Sequence, residues 1–314
     1  MPAERPRRKF GGMKEVRAPV DRQPHPVALN GPPRNEVAAP PAGTTSQRRW
    51  ESEARFFDEL AARVARELRP MPAPLLARYL EHPRVIYDKE FRFCLLGSLR
   101  GQVALDLGCG DGSNAVLLAK RGAYVEGVDV SPRLIEVARR RAELEGVGPR
   151  VRFQCAPIER VVFPPGTFDL VWGDGVLHHL VDVLEPTLAQ LLRWSKKGAL
   201  FVFSEPVGDQ RWLRRLRAHV PIHTDATADE RPLEAHEVAL LRRFLPGLRE
   251  RRFDAFARLT RFVLPVGDYE GAAPLRRRLV DALHALDWAA LSVPTLRPLG
   301  GMNVMWGRRP AAPS

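Results

Sequence analysis

The hydrophobic rhythm of the chain changes twice. Between Trp50 and Arg69, the residues Phe56, Leu60, Val64 and Leu68 recur every fourth position, which puts them on one face of an amphipathic helix. "RPMPAP" breaks that helix, and a second helical stretch runs towards "YDKEFRFCLLGSL". From Gln102 onwards short apolar runs alternate with helical patterns. "VALDL" predicts a buried strand, "SNAVLLAKRG" a helix with Ser113 as N-cap and Gly122 as its stop, and "AYVEGVDV" a second strand. "SPRLIEVARRRAELEG" predicts a helix with Ser131 at the N-cap and Pro132 at its first position. "RVRFQC" and "FDLVWG" follow as strands, "VDVLEPTLAQLLRWS" as a mostly helical stretch, and "GALFVFSEP" as a fifth strand. This alternation predicts an α/β architecture with a parallel sheet wound on both faces.

After Glu205 the regularity falls. Residues 206–248 read as a long connection that holds the basic helix "RWLRRLRAHV" and a second helix, "EAHEVALLRRFL". "FDAFARLTRF" and "MNVMWGRRP" predict two terminal antiparallel strands, separated by the amphipathic helix "PLRRRLVDALHALDWAAL".

Composition adds a tail and removes several function classes. Residues 1–45 are rich in Pro, Ala and Arg and lack periodicity, so they cannot bury enough apolar surface to offset their ordering entropy. They predict a disordered tail. The first fifty residues hold ten basic and four acidic side chains, half of the net charge of +12. Arginine carries most of the remaining positive charge, in an alanine- and proline-rich background, so nucleic acid is not the expected partner. No apolar run is long enough to cross a membrane, and the N-terminal residues lack the apolar core of a secretory signal. Cys94, Cys109 and Cys155 are scattered and form no CxxC pair, which predicts neither a zinc site nor a disulfide framework and suits a cytoplasmic setting. "HVPIHTDATADE" is dense in His, Asp and Glu, but its spacing fits no common ligand pattern, so no metal is expected. "RWLRRLRAHV" (211–220) has two readings, a peripheral contact with anionic lipid or a solvated arginine face whose apolar side meets the core. Trp288 and Leu291 raise the same question in the late helix.

The turn after the first strand carries the candidate chemistry. It spells Asp106-Leu107-Gly108-Cys109-Gly110-Asp111-Gly112, follows a strand, opens a helix, and has Asp129 at the end of the next strand. That context is a nucleotide-type βαβ unit, in which Asp129 would accept the ribose hydroxyls. A dinucleotide pyrophosphate wants bare N–H groups at the helix N-terminus, and acids at the strand end and inside the loop oppose it. The spacing is GxGxG rather than GxGxxG. A ligand with an ammonium and a sulfonium, S-adenosylmethionine, suits Asp106 better.

The segment "VALDLGCGDGSNAVLLAKRGAYVEGVDVSPRLIEVARRRAE" resembles the first two motifs of class I S-adenosylmethionine-dependent methyltransferases, and "FDLVWGDGVLHHL" resembles the fourth-strand motif of that family. The resemblance spans roughly 102–206. It implies a Rossmann-like, doubly wound, mostly parallel seven-stranded sheet over 101–310, with 46–100 as an N-terminal helical lid, Tyr87 contributing to it, and 206–248 as a substrate-side insertion. It implies that Asp106, Gly108 and Gly110 surround the methionine portion of the cofactor, with Cys109 among the cofactor-binding residues as a small filler through its backbone, and that Gly112 permits the turn into the helix. Asp129 then holds the ribose and Val130 packs near the adenine. Asp174 and Gly175 flank the methionine moiety and the substrate. The family usually places an Asp against the adenine amino group after the third strand. Here Ala156 stands there, so backbone groups at Ala156 and Ile158 are expected to substitute.

Methyl transfer from a sulfonium is an in-line displacement that mainly needs alignment and dryness. An oxygen nucleophile also needs a base, and His178 and His179 lie just past the fourth strand, where ligands bind in such sheets. Glu205 ends the fifth strand on the same edge. The expected acceptor is a small or lipid-like metabolite. An RNA or protein methyltransferase and a non-catalytic partner subunit with the same fold are the alternatives.

Overall fold

A computed structural model describes residues 45–208, 231–264 and 269–311, with side chains from Trp50 onwards. The expected tail at 1–44, the basic helix at 211–220, and His219 and His223 lie outside the described residues.

Three helices precede the sheet: α1 (Thr45–Glu67), α2 (Ala73–Leu80) and α3 (Asp88–Cys94). The proline-rich break falls between α1 and α2, with Pro72 as the residue before the second helix. The alternating region then folds as β1 (Val103–Leu107), α4 (Ser113–Lys120), β2 (Tyr124–Asp129), α5 (Pro132–Leu144), β3 (Val151–Cys155), β4 (Phe168–Asp174), α6 (Leu184–Trp194) and β5 (Ser195–Pro206). Ser131 caps α5 as expected: its hydroxyl accepts from the Leu134 N–H at 3.1 Å, and Pro132 opens the helix. Ser113 does not cap α4. Gly112, left-handed at φ +77°, holds that place, and the Ser113 hydroxyl donates to Asp111 at 2.6 Å.

The described residues form a seven-stranded sheet in the order β3-β2-β1-β4-β5-β7-β6, where β6 is Arg249–Phe253 and β7 is Met302–Arg308. β7 runs antiparallel to both β5 and β6, and the other pairings are parallel. The order reverses between β1 and β4, so the carboxyl ends of β1, β2 and β4 frame a crevice where connections leave in opposite directions. Both faces of the sheet are covered. Leu105, Phe168, Phe201 and Phe203 pack with Trp194 on one face. Ala104, Val125, Trp172 and Val202 pack with Leu117 and Phe93 on the other. Burial on both faces explains why these strands read as unbroken apolar runs.

One boundary differs from the sequence expectation. The strand expected at "FDAFARLTRF" (253–262) lies upstream, at Arg249–Phe253, and pairs with β7 from Arg249 opposite Trp306 to Phe253 opposite Met302. Asp254 then turns the chain with φ +66°. The carboxylate of Asp287, itself 1% exposed, accepts from the N–H groups of residues 254, 255, 256 and 257 at 3.0, 2.8, 2.7 and 3.3 Å. Those amides are therefore lost to any ladder, and Ala257–Phe262 becomes a 3-10 helix. Asp287 belongs to α8 (Pro274–Ala290), which follows α7 (Ala235–Phe244). Trp288 of α8 faces inwards, against Phe91 and Phe253, with the Arg251 guanidinium 3.8 Å from its ring centre.

Candidate cofactor and acceptor site

The turn from β1 into α4 needs backbone that side chains resist. Gly108 sits at φ +64°, and a Cβ there would come within 2.7 Å of the Val176 side chain. A Cβ at Gly112 would come within 2.8 Å of Ala138. The first glycine lets the β4 loop close on the turn, and the second lets α5 pack beneath it. Cys109 donates its N–H to Val128 O at 3.0 Å, while its thiol lies over Gly127 in the core. Burial, with Asp129 and Asp106 nearby, pushes that thiol well up, so it is a space filler rather than a nucleophile.

Two acids at the strand ends have opposite surroundings. Asp129 is built into the backbone: its carboxylate accepts from Gly110 N–H at 2.9 Å and from Ser131 N–H at 2.9 Å. Asp129 also lines the cavity. Asp106 is fully buried, and neither oxygen has a hydrogen-bond partner among the described residues. The charge of Lys89 and the Ala115 amide favour its ionised form in part. Burial first, and the charge of Asp174 second, drive the Asp106 carboxyl well above the usual carboxylate range. Asp174 goes the other way. Burial opposes its ionisation, but Arg92 at 2.9 Å, Lys89 and the Asn114 amide at 3.1 Å hold it below its ordinary value.

A cavity of about 300 Å³ opens at this edge. Gly108, Gly110 and Asp111 form its floor, with Asp129 and Val130 at the end of β2. Ala156, Ile158 and Glu159 form one wall, and Asp174, Gly175, Val176 and His179 another. Trp50, Glu53, Phe57, Leu60 and Val64 of α1 form the roof. α1 is tied down by Asp58, which accepts from the Ser131 hydroxyl at 2.6 Å, and by Trp50, whose indole donates to Glu159 at 3.4 Å. Of the segment read as a lid, α1 is the part that covers the cavity. Tyr79 of α2 and Phe93 of α3 join the core cluster that contains α4, and Tyr87 donates to Asp281 away from the cavity.

Eight of the expected cofactor residues therefore meet in one cavity: Gly108, Gly110, Asp129, Val130, Ala156, Ile158, Asp174 and Gly175. Asp106, Cys109 and Gly112 lie behind its wall. The Ala156 N–H is already donated to Asp129 O at 2.9 Å, so it is not free to replace the missing Asp. The sequence reading missed Glu159, and it placed the lid over 46–100 without singling out α1 as the roof. The four-residue apolar spacing in α1 was the available signal for the roof, although the residue on the cavity is Phe57, not Phe56.

The histidines are arranged in depth. Glu205, 0% exposed, accepts from the N–H groups of Val176, Leu177 and His178 at 3.0, 2.8 and 3.3 Å, and pairs with His178 Nδ1 at 2.8 Å. It stands behind His178 rather than on the cavity. When Nδ1 donates its proton to that carboxylate, Nε2 is left as the acceptor. The His178 and His179 rings lie 4.2 Å apart, and His179 reaches the cavity edge beside Phe57 and Glu53. Among the described residues, no group of His, Cys, Asp and Glu side chains is placed to hold a metal ion.

Known proteins fit this geometry. Residues 105–203 match the family model of the methyltransferase domain. With its strand order and glycine turn, this region is a class I S-adenosylmethionine-dependent methyltransferase domain. The chain is 39% identical over 85 residues to a ubiquinone biosynthesis O-methyltransferase of Coxiella burnetii, covering 27% of this chain and 36% of that one. It is 44% identical over 85 residues to its counterpart in Methylocella silvestris, covering 27% and 32%. The chain thus spans about a third of the length of these curated relatives. In fold it is similar to the geranyl diphosphate C-methyltransferase of Streptomyces coelicolor A3(2), solved with S-adenosylhomocysteine, at a TM-score of 0.52 and 15% identity over 86% of this chain and 99% of that one.

Proposed function

We propose that this protein methylates a hydroxyl group of a small or lipid-like acceptor, using S-adenosylmethionine. The observation that carries the reading is the cavity at the glycine turn: Asp129, preorganised by two backbone amides, lines it, and Asp106 lies buried just behind its wall with no hydrogen-bond partner for either oxygen among the described residues. A buried carboxylate without hydrogen bonds is costly unless a cation or a proton satisfies it; Lys89 offsets part of that cost, and the ammonium of the cofactor fits the rest. The cofactor supplies an electrophilic methyl group on a sulfonium.

The chain's own groups do the rest. Asp129 accepts the ribose hydroxyls. Val130 and Ile158 pack about the adenine, and Glu159, aimed into the same wall, takes the place of the missing Asp against its amino group. α1 excludes water from the cavity, which strengthens each of these contacts. His178, held by Glu205, accepts the proton of the acceptor hydroxyl at Nε2, directly or through His179. The O-methyltransferase relatives support an oxygen acceptor.

A turnover screen over metabolite extracts, read by mass as S-adenosylhomocysteine and a product heavier by one methyl, tests this reading. With an acceptor in hand, H178A lowers kcat by about 10²–10⁴. Unchanged kcat in both H178A and H179A would remove the base from the account.

A further inference from the structure

We propose that the outer face of α8 is a docking surface for an anionic lipid bilayer. This inference is independent of the methyltransferase reading. At 100° per residue, Leu275, Leu279 and Leu286 fall within a sector of about 40°, about 100–120° round the helix from the buried Val280 and Asp287. They are 78%, 49% and 51% exposed. Phe262, on the 3-10 helix that packs against α8, is 75% exposed. So the helix has two apolar faces, and the inner one alone is used by the core.

Charge selects the occupant. Arg276 and Arg278 project on either side of the leucine stripe, both exposed, and Arg261 stands beside Phe262. The acids of α8 are committed elsewhere: Asp281 accepts from Tyr87, Tyr269 and Arg84, and Asp287 from the 254–257 amides. An apolar stripe rimmed by arginines, with no competing acid, fits lipid tails beneath anionic headgroups. A second copy of the chain would bring arginines against arginines. The contact is peripheral, because no helix among the described residues is long and apolar enough to span a bilayer.

Sedimentation of the full chain with phosphatidylcholine vesicles, with and without phosphatidylglycerol, tests this. The wild type is expected to bind the anionic vesicles, less as salt rises, and to ignore the neutral ones. Each basic residue near the surface strengthens such binding about fivefold, so R276E/R278E weakens it at least about 25-fold. L275S/L279S/L286S weakens it at least about tenfold. If the leucine variant fails to fold by circular dichroism, the arginine variant decides alone, since its substitutions are on exposed surface. Three results would overturn the proposal. One is no binding by the wild type. Another is undiminished binding by the variants, which places the contact elsewhere in the chain. The third is a wild-type dimer in light scattering that the leucine variant dissociates, without vesicle binding.

Discussion

At the scale of single residues, the account turns on Asp106. Its carboxyl is raised because burial and Asp174 disfavour the charge more than Lys89 favours it, so it tends to hold its proton. An ammonium bound there favours the charged form, and the proton leaves. Cofactor binding should therefore release protons and tighten as pH rises, which calorimetry in buffers of different ionisation enthalpy will read. D106N removes the charge and should weaken binding by about 10- to 100-fold, because a charged hydrogen bond of about 1.5–3 kcal/mol is lost. Equal affinity in D106N would mean that the ammonium sits elsewhere. Asp106, Asp129 and the glycines were legible in the sequence because turn geometry and charge demand those residue types locally. Glu159 and Glu53 were not. Glu53 is placed by how α1 lies across the sheet and Glu159 by the 3-10 turn after β3, and nothing in their own neighbourhoods encodes that.

At the scale of elements, α1 and β2 make separate predictions. α1 roofs the cavity through apolar contacts and the Asp58–Ser131 hydrogen bond. D58A leaves the Ser131 hydroxyl without that acceptor and should loosen the roof by about 1 kcal/mol, a fivefold faster cofactor release in stopped-flow fluorescence of Trp50. An unchanged release rate would remove α1 as a gate. In β2, burial pushes the Glu126 carboxyl up to about 7, from an ordinary value of 4.5. The folded state holds this proton more tightly than the unfolded chain does. The stabilisation is thus complete below pH 4.5 and is lost as pH rises through 7, by about 3 kcal/mol. E126Q should flatten the fall in melting temperature between pH 5 and pH 8, and a slope identical to wild type would contradict this. The β6 boundary shows why element ends are hard to read. "RERRF" carries four charged residues and scores poorly as a strand, yet it pairs with β7 at the sheet edge, where charged side chains are tolerated. "FDAFARLTRF" alternates well, but Asp287, more than thirty residues later, captures its first amides.

At the scale of the whole molecule, the five parallel-sheet strands and their helices followed from periodicity and caps, since each βα unit is locally consistent. The order β5-β7-β6 did not, because antiparallel closure is decided by non-local pairing. Half of the charge of +12 falls in the first fifty residues, and the arginine rim of α8 is part of the remainder. The chain-wide claim is that the glycine turn, Asp106 and Asp129 form a site for S-adenosylmethionine. Titration calorimetry of S-adenosylmethionine into wild type and D129A tests it most directly. The account predicts saturable one-site binding to wild type, weakened about 100-fold in D129A as the charged hydrogen bonds to the ribose are lost. No binding to the wild type, or equal affinity in D129A, would contradict it.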